Sequence, residues 1–221
     1  MGFEPVKLIL ADGHTITRSG LKALFGQDDR FSVIAEAATG REAFRLSMDM
    51  KPDVVIMAIS MPELNGIEAT TQILSLNHGT KIIALTMHSH RRYVSGMLKA
   101  GASGYLLKSC CFDELVTAVL TVREGKTYLS PSISETLVKD YINSSSGTIH
   151  PSPMADLTGR EREVLQLISE GLTTREIGDR LFVSESTVNT HRRQIMEKLN
   201  IHSIARLTKF AIQEGLTFLD N

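Results

Sequence analysis

Through the first 124 residues, short apolar runs rich in β-branched side chains alternate with stretches whose apolar positions recur every three or four residues. The runs Lys7–Ala11, Phe31–Ala37, Asp53–Ala58, Lys81–Thr86 and Gly104–Leu107 lack strict apolar–polar alternation, the pattern of strands covered on both faces. Between them, residues 14–26, 40–50, 64–76, 89–100 and 112–124 carry helical periodicity, with Gly101 and Gly125 placed as C-terminal stops. Five strand–helix units in succession predict an α/β domain, a doubly wound (βα)5 parallel sheet spanning residues 1–124. From Ser130 the texture changes. Ile133–Tyr141 predicts one more helix, and then Asn143-Ser144-Ser145-Ser146-Gly147 and Pro151-Ser152-Pro153 break all periodicity, so residues 125–154 read as a linker that carries a helix. Beyond it, residues 159–170, 173–181, 185–199 and 203–214 are helical with no strand-like run among them, which makes 155–221 an all-α domain of four helices.

Composition adds mainly exclusions. With 42% hydrophobic and 22% charged residues the chain is globular rather than collagen-like, disordered or disulfide-stapled. Lys plus Arg number 24 against 25 Asp plus Glu, so any surface for a polyanion must be local. Apolar stretches such as Val54–Ile59 fall far short of the roughly 18 residues that span a bilayer. The segment Met1-Gly2-Phe3-Glu4-Pro5 has neither the basic nor the apolar part of a secretory signal, which leads us to expect a cytoplasmic protein without membrane contact. Cys110 and Cys111 are adjacent, a spacing that suits neither an ordinary disulfide nor a structural zinc pair, and they read as small side chains at a helix start.

In an open parallel sheet, ligands gather at the carboxyl ends of the strands. Those ends hold Asp12-Gly13, Ala58, Thr86 and Lys108, with Met61-Pro62-x-x-x-Gly66 after the third strand and Tyr105 on the fifth. In this ordered set the first 124 residues resemble the CheY-like receiver of two-component response regulators. The resemblance implies an acceptor aspartate at the end of the third strand and two acids after the first strand that help to hold Mg²⁺. It also implies that Thr86 and Lys108 engage a phosphoryl group and that Tyr105 is a switch aromatic following the hydroxyl. Two positions depart from it: Ala58 replaces the acceptor and Gly13 replaces the second acid. Alanine has no nucleophilic oxygen, so an acyl phosphate cannot form at Ala58. Asp12 facing Lys108 sums to zero charge, and one carboxylate is a poor match for a cation that wants several hard oxygens, so Mg²⁺ binding is expected to be weak or absent and no other cofactor is implied. Either a natural aspartate has been replaced at position 58 or the receiver has lost phosphorylation; a sensor histidine kinase is implied as partner only in the first case.

In the second domain, Thr158 stands three residues before Glu161, the spacing of a capping box. Thr173 caps the next helix, and Phe182-Val183-Ser184 is a short turn after which Ser184 or Ser186 caps the helix that runs to Leu199. Two helices joined by so short a turn, the second polar and basic on one side, form the helix-turn-helix pattern. Leu157-Thr158-x-Arg160-Glu161-x-Glu163-Val164-Leu165, Glu176-Ile177 and Val183-Ser184-x-x-Thr187-Val188-x-x-His191-x-x-x-Ile195-x-x-Lys198-Leu199 resemble the LuxR-type (NarL/FixJ) DNA-binding domain over about residues 155–215. Gly178 stands where that family usually has Ala. At 100° per residue, Val188, Ile195 and Leu199 share a core-facing stripe, leaving Asn189, Thr190 and Arg193 outward. The resemblance makes those three the expected base readers in the major groove of duplex DNA, and Arg and Asn have the hydrogen-bonding groups for it. Residues 186–209 hold Arg192, Arg193, Lys198, Arg206 and Lys209 against Glu197, a footprint suited to phosphates. Thr173, Ser186, Thr187, Arg192 and Lys198 are the expected phosphate contacts, the first three at helix starts. His191 reads as packing or phosphate-contacting rather than metal-binding, since no second ligand lies at a suitable spacing.

The joint expectation is a transcriptional regulator of response-regulator type, not an enzyme, acting as a homodimer on promoter half-sites. An alternative expectation is a signalling module that binds a small molecule or second messenger in the degenerate receiver pocket. An enzyme of flavodoxin-like fold is disfavoured, because no Gly-rich phosphate loop follows the first strand and no nucleophile-plus-base pair is evident in the sequence.

Overall fold

The structure, a computed structural model, describes residues 4–77, 79–144 and 153–217. The chain divides into two compact units, Met1–Gly147 and Thr148–Asn221.

The first unit runs β1 (Val6–Ala11), α1 (Thr15–Phe25), β2 (Phe31–Ala37), α2 (Gly40–Met50), β3 (Val54–Met57), α3 (Gly66–Leu76), β4 (Lys81–Thr86), α4 (Arg91–Lys99), β5 (Gly104–Leu107), α5 (Phe112–Arg123), β6 (Tyr128–Leu129) and α6 (Pro131–Ser144). The sheet is parallel throughout, in the order β2-β1-β3-β4-β5-β6. Successive strand residues face opposite sides. Leu8, Leu10, Val54, Ile56, Ile83 and Leu85 meet Phe25 of α1 and Leu115, Val119 and Val122 of α5 in one core. Ile9, Val55, Met57, Ile82 and Tyr105, one position out of step, are equally buried. Double coverage is why the strands read as continuous apolar runs.

The expected five strands are six. Tyr128–Leu129 pairs with Gly104 and Tyr105, and α6 packs against α4, so part of the segment read as linker belongs to this unit. The third strand is also shorter than Asp53–Ala58. Asp53 instead accepts the amide of Lys7 at 2.7 Å before the strand begins, and Ala58 opens the loop after it, its amide on the Ala11 carbonyl at 2.7 Å. Gly101 and Gly125 end their helices at φ +100° and +80°, a conformation that glycine adopts without steric cost. The serine- and proline-rich stretch 145–152 lies outside the described residues.

The second unit holds a one-turn 3-10 helix (Pro153–Asp156), α7 (Gly159–Ser169), α8 (Thr174–Leu181), α9 (Glu185–Leu199) and α10 (Ile204–Gln213), with no strand among its described residues. Its core gathers Leu157, Val164, Leu165, Ile177, Leu181, Val188, Ile195, Leu207 and Ala211. Each large apolar side chain contributes about 1.5–3 kcal/mol on burial. Both capping boxes are closed: Thr158 and Glu161 exchange bonds at 3.2 and 2.7 Å, and Thr173 and Glu176 at 3.3 and 2.8 Å. Of the two candidate caps for α9, Ser184 does the work, accepting the Thr187 amide at 3.1 Å, and Ser186 lies within the first helical turn.

Candidate functional site

The strand ends bring Asp12, Thr86, Tyr105, Lys108 and Ala58 into one region of the first unit. Asp12 is buried, and its carboxylate lies 2.6 Å from the Lys108 ammonium while also accepting the His14 amide at 2.9 Å. This donor set does not fit Mg²⁺: the remaining carboxylate is already neutralised by Lys108. Ala58 is buried to 4% exposure, and Gly66 is packed beneath it so closely that a Cβ there would stand 2.0 Å from the Ala58 carbonyl oxygen. Glycine is therefore required in the Met61-Pro62-x-x-x-Gly66 turn. No such constraint holds at Gly13, where an added Cβ would meet its nearest atom, Pro62 Cδ, at 3.6 Å.

Tyr105 points inward. Its hydroxyl donates to the His88 carbonyl at 2.7 Å, and burial, with a smaller push from Tyr93, holds the phenol well above its ordinary range, so it is a permanent donor at any physiological pH. Thr86, also buried, accepts the His88 amide at 3.3 Å. The imidazole of His88 reaches Ser60 at 2.8 Å and stacks on Tyr93 with ring centroids 4.4 Å apart. The structure thus supplies a hydroxyl–imidazole pair that was not evident in the sequence, because its members lie 28 residues apart and meet only when β3 and β4 pair. Cys111 is exposed at the start of α5, and burial pushes the thiol of half-buried Cys110 up to about 11, which leaves it protonated and unreactive.

In the second unit, α9 is held by buried Val188 and Ile195, with Leu199 partly buried beside them. Asn189, Thr190 and Arg193 are exposed on the other side. Thr190 bonds back to the Ser186 carbonyl at 3.0 Å, and Arg193 lies 3.9 Å from Glu197 with both side chains mostly in water. Such a pair is worth little and is readily exchanged for another anion. Asn189, Arg192, Arg193, Met196, Glu197 and His202 line an open groove. His202 escaped the sequence reading because it reaches this groove only after Asn200, at φ +52°, reverses the chain. The turn before α9 closes with Phe182 at φ +56°, and the Val183 carbonyl comes so near Gly178 that a methyl there would stand 2.9 Å from it. Glycine at 178, where the resembled family usually has Ala, thus has a packing reason in this chain.

The expected phosphate contacts are not equivalent. Thr173 and Ser186 are exposed, whereas Thr187 and Arg192 are half-buried. Lys198 is tied to the fold, its ammonium 2.7 Å from buried Glu161 across 37 residues. Burial tends to raise the Glu161 pKa, but Lys198 and the Thr158 amide and hydroxyl outweigh it and hold the carboxyl below its ordinary value. Lys198→Ala is expected to destabilise the second unit by about 2 kcal/mol by leaving a buried carboxylate without its cation, a loss visible as a lower urea midpoint. Because the folded-state pKa is depressed, the Glu161 contribution is present at neutral pH and fades as pH falls below about 4.5. Urea titrations between neutral pH and pH 3 are expected to show this acid loss and to show less of it in Glu161→Gln.

A doubly wound sheet with a polar strand-end pocket, and a helix-turn-helix unit with a basic outward face, define a two-domain regulator of the response-regulator class. Comparison with known proteins agrees. Residues 8–120 match the response regulator receiver domain and residues 155–211 the bacterial regulatory proteins of the luxR family. The oxygen regulatory protein NreC of Staphylococcus carnosus is 37% identical over 96% of this chain and 99% of its own length. The transcriptional regulatory protein DegU of Brevibacillus brevis is 35% identical over 95% of this chain and 94% of its own. A solved structure of two RcsB dimers bound to two parallel DNAs aligns with a TM-score of 0.59 and 25% identity, covering 94% of this chain and 98% of that one. The chain belongs to the NarL/FixJ family of response regulators, DNA-binding transcription regulators with a LuxR-type helix-turn-helix domain.

Proposed function

We propose that the protein binds promoter DNA as a homodimer through the outward side of α9, in a manner not controlled by an acyl phosphate at position 58. The observation that carries this reading is the exposure of Asn189, Thr190 and Arg193 on a helix whose opposite side is locked into the core by Val188 and Ile195. A helix held on one side and presenting exposed Asn and Arg groups on the other has the shape and the donors to address base edges in a major groove. Arg192 and the exposed helix starts at Thr173 and Ser186, with Thr187 beside them, are suited to the flanking phosphates. Two-fold pairing is supported by the RcsB dimers on DNA and by the small surface that one such module buries. No described helix is long and apolar enough to cross a membrane, in keeping with action on DNA in the cytoplasm. Ala58 and the Asp12–Lys108 pair leave the receiver pocket without an acceptor carboxylate or a competent Mg²⁺ site, so occupancy of DNA follows protein concentration. The relatives are transcriptional regulators, and we assign this chain the same role rather than an enzymatic one.

Selection of bound duplexes from a random pool by the intact chain tests this. A recurring motif in two half-sites about one helical turn apart is expected. Recovery of unenriched sequence would refute it.

A further inference from the structure

Beside the inert position 58 stands a nucleophile with a base. Ser60 Oγ and His88 Nε2 are 2.8 Å apart, within reach for direct proton transfer, and both residues are half-buried and so open to a small solute. His88 is held at every part. Its carbonyl accepts from Tyr105 at 2.7 Å, its amide donates to Thr86 at 3.3 Å, and its ring stacks on Tyr93, whose own ring lies under the Arg92 guanidinium. A base oriented by further groups and bonded to a hydroxyl is the arrangement that activates serine. Burial first, then the charges of Arg92 and Lys108, keep the imidazole below its ordinary pKa and therefore free to take a proton at neutral pH.

We propose that Ser60 is a phosphoryl-acceptor site, loaded by a small acyl phosphate with His88 as general base. Ser60 Oγ attacks phosphorus and forms the new P–O bond as its proton passes to Nε2 of His88, the neutral ring carrying its other proton on Nδ1. The bond from phosphorus to the acyl oxygen breaks, and the carboxylate leaves with that electron pair. His88 then returns its proton to water. No oxidant or metal is required. The product is a serine phosphate ester, which resists hydroxylamine, whereas an acyl phosphate on an aspartate does not.

The test is to incubate the full chain with acetyl phosphate in the presence of a metal chelator, follow intact mass over time, and map the modified peptide. The expected result is a gain of one phosphoryl group on Ser60, stable to acid and hydroxylamine. It should be absent in Ser60→Ala and about 100-fold or more slower in His88→Gln, which keeps a hydrogen-bonding group but not a base. No gain in mass, a gain that persists in Ser60→Ala, an acid-labile phosphate on His88, or an undiminished rate in His88→Gln would each overturn the proposal.

Discussion

Gly13→Asp combined with Ala58→Asp is expected to convert a receiver whose position 58 cannot form an acyl phosphate into one that binds Mg²⁺ and takes up a hydroxylamine-labile phosphoryl group there. The pocket retains the other parts: Asp12, Thr86 and Lys108 lie at the strand ends, and the Lys108 ammonium is 2.6 Å from Asp12. What is missing is charge and a nucleophile. Three carboxylates facing one lysine leave a surplus of negative charge that a hard divalent cation offsets, whereas the natural pair sums to zero. Position 13 accepts a side chain, since a Cβ there meets nothing closer than 3.6 Å. Calorimetry with Mg²⁺ and intact mass after acetyl phosphate treatment, with hydroxylamine release as the readout, check the outcome. Ala58→Asp alone supplies the nucleophile but only two carboxylates, and is expected to load more slowly. A double variant that stays blind to Mg²⁺ would mean that the pocket has lost more than these two groups.

Arg193→Ala is expected to weaken binding to a selected duplex by about 10- to 100-fold, the range for one bidentate base contact, and to relax sequence preference at a single base position. Arg193 is exposed and its contact with Glu197 is long, so its removal does not disturb the core beneath. Unfolding should be unchanged while binding falls. Lys198→Ala is the contrasting case: its ammonium holds Glu161, so the loss is expected chiefly in stability. Fluorescence anisotropy on specific and random duplexes, run beside urea titration, separates the two. Equal losses of affinity for both duplexes in Arg193→Ala would reassign that residue to a phosphate.

Features of the sequence that act locally were legible, and those made by distant residues meeting were not. Helical periodicity located α9 at 185–199, Thr158 announced a helix start because its partner Glu161 is three residues on, and Thr173 announced one as a cap directly before a periodic stretch. The strand-end set could be read because parallel topology forces strand ends together. By contrast, β6 is two residues long and shows no periodicity, so it existed only once β5 offered an edge. Glu161 with Lys198 and Ser60 with His88 join different elements, and no spacing rule connects them. A lysine on a basic helix is usually solvated, and Lys198 does stay exposed, but its ammonium also reaches buried Glu161, a pairing that no spacing in the sequence announces.

The outward side of α9 is expected to lie in a major groove. Methylation interference on a selected duplex tests it most directly, because dimethyl sulfate modifies guanine N7 in the major groove and adenine N3 in the minor groove. We predict that methylation of guanine N7 within each half-site blocks binding, and that Arg193→Ala abolishes the effect at one guanine per half-site. Interference confined to adenine N3, or an interference pattern unchanged by Arg193→Ala, would contradict the account.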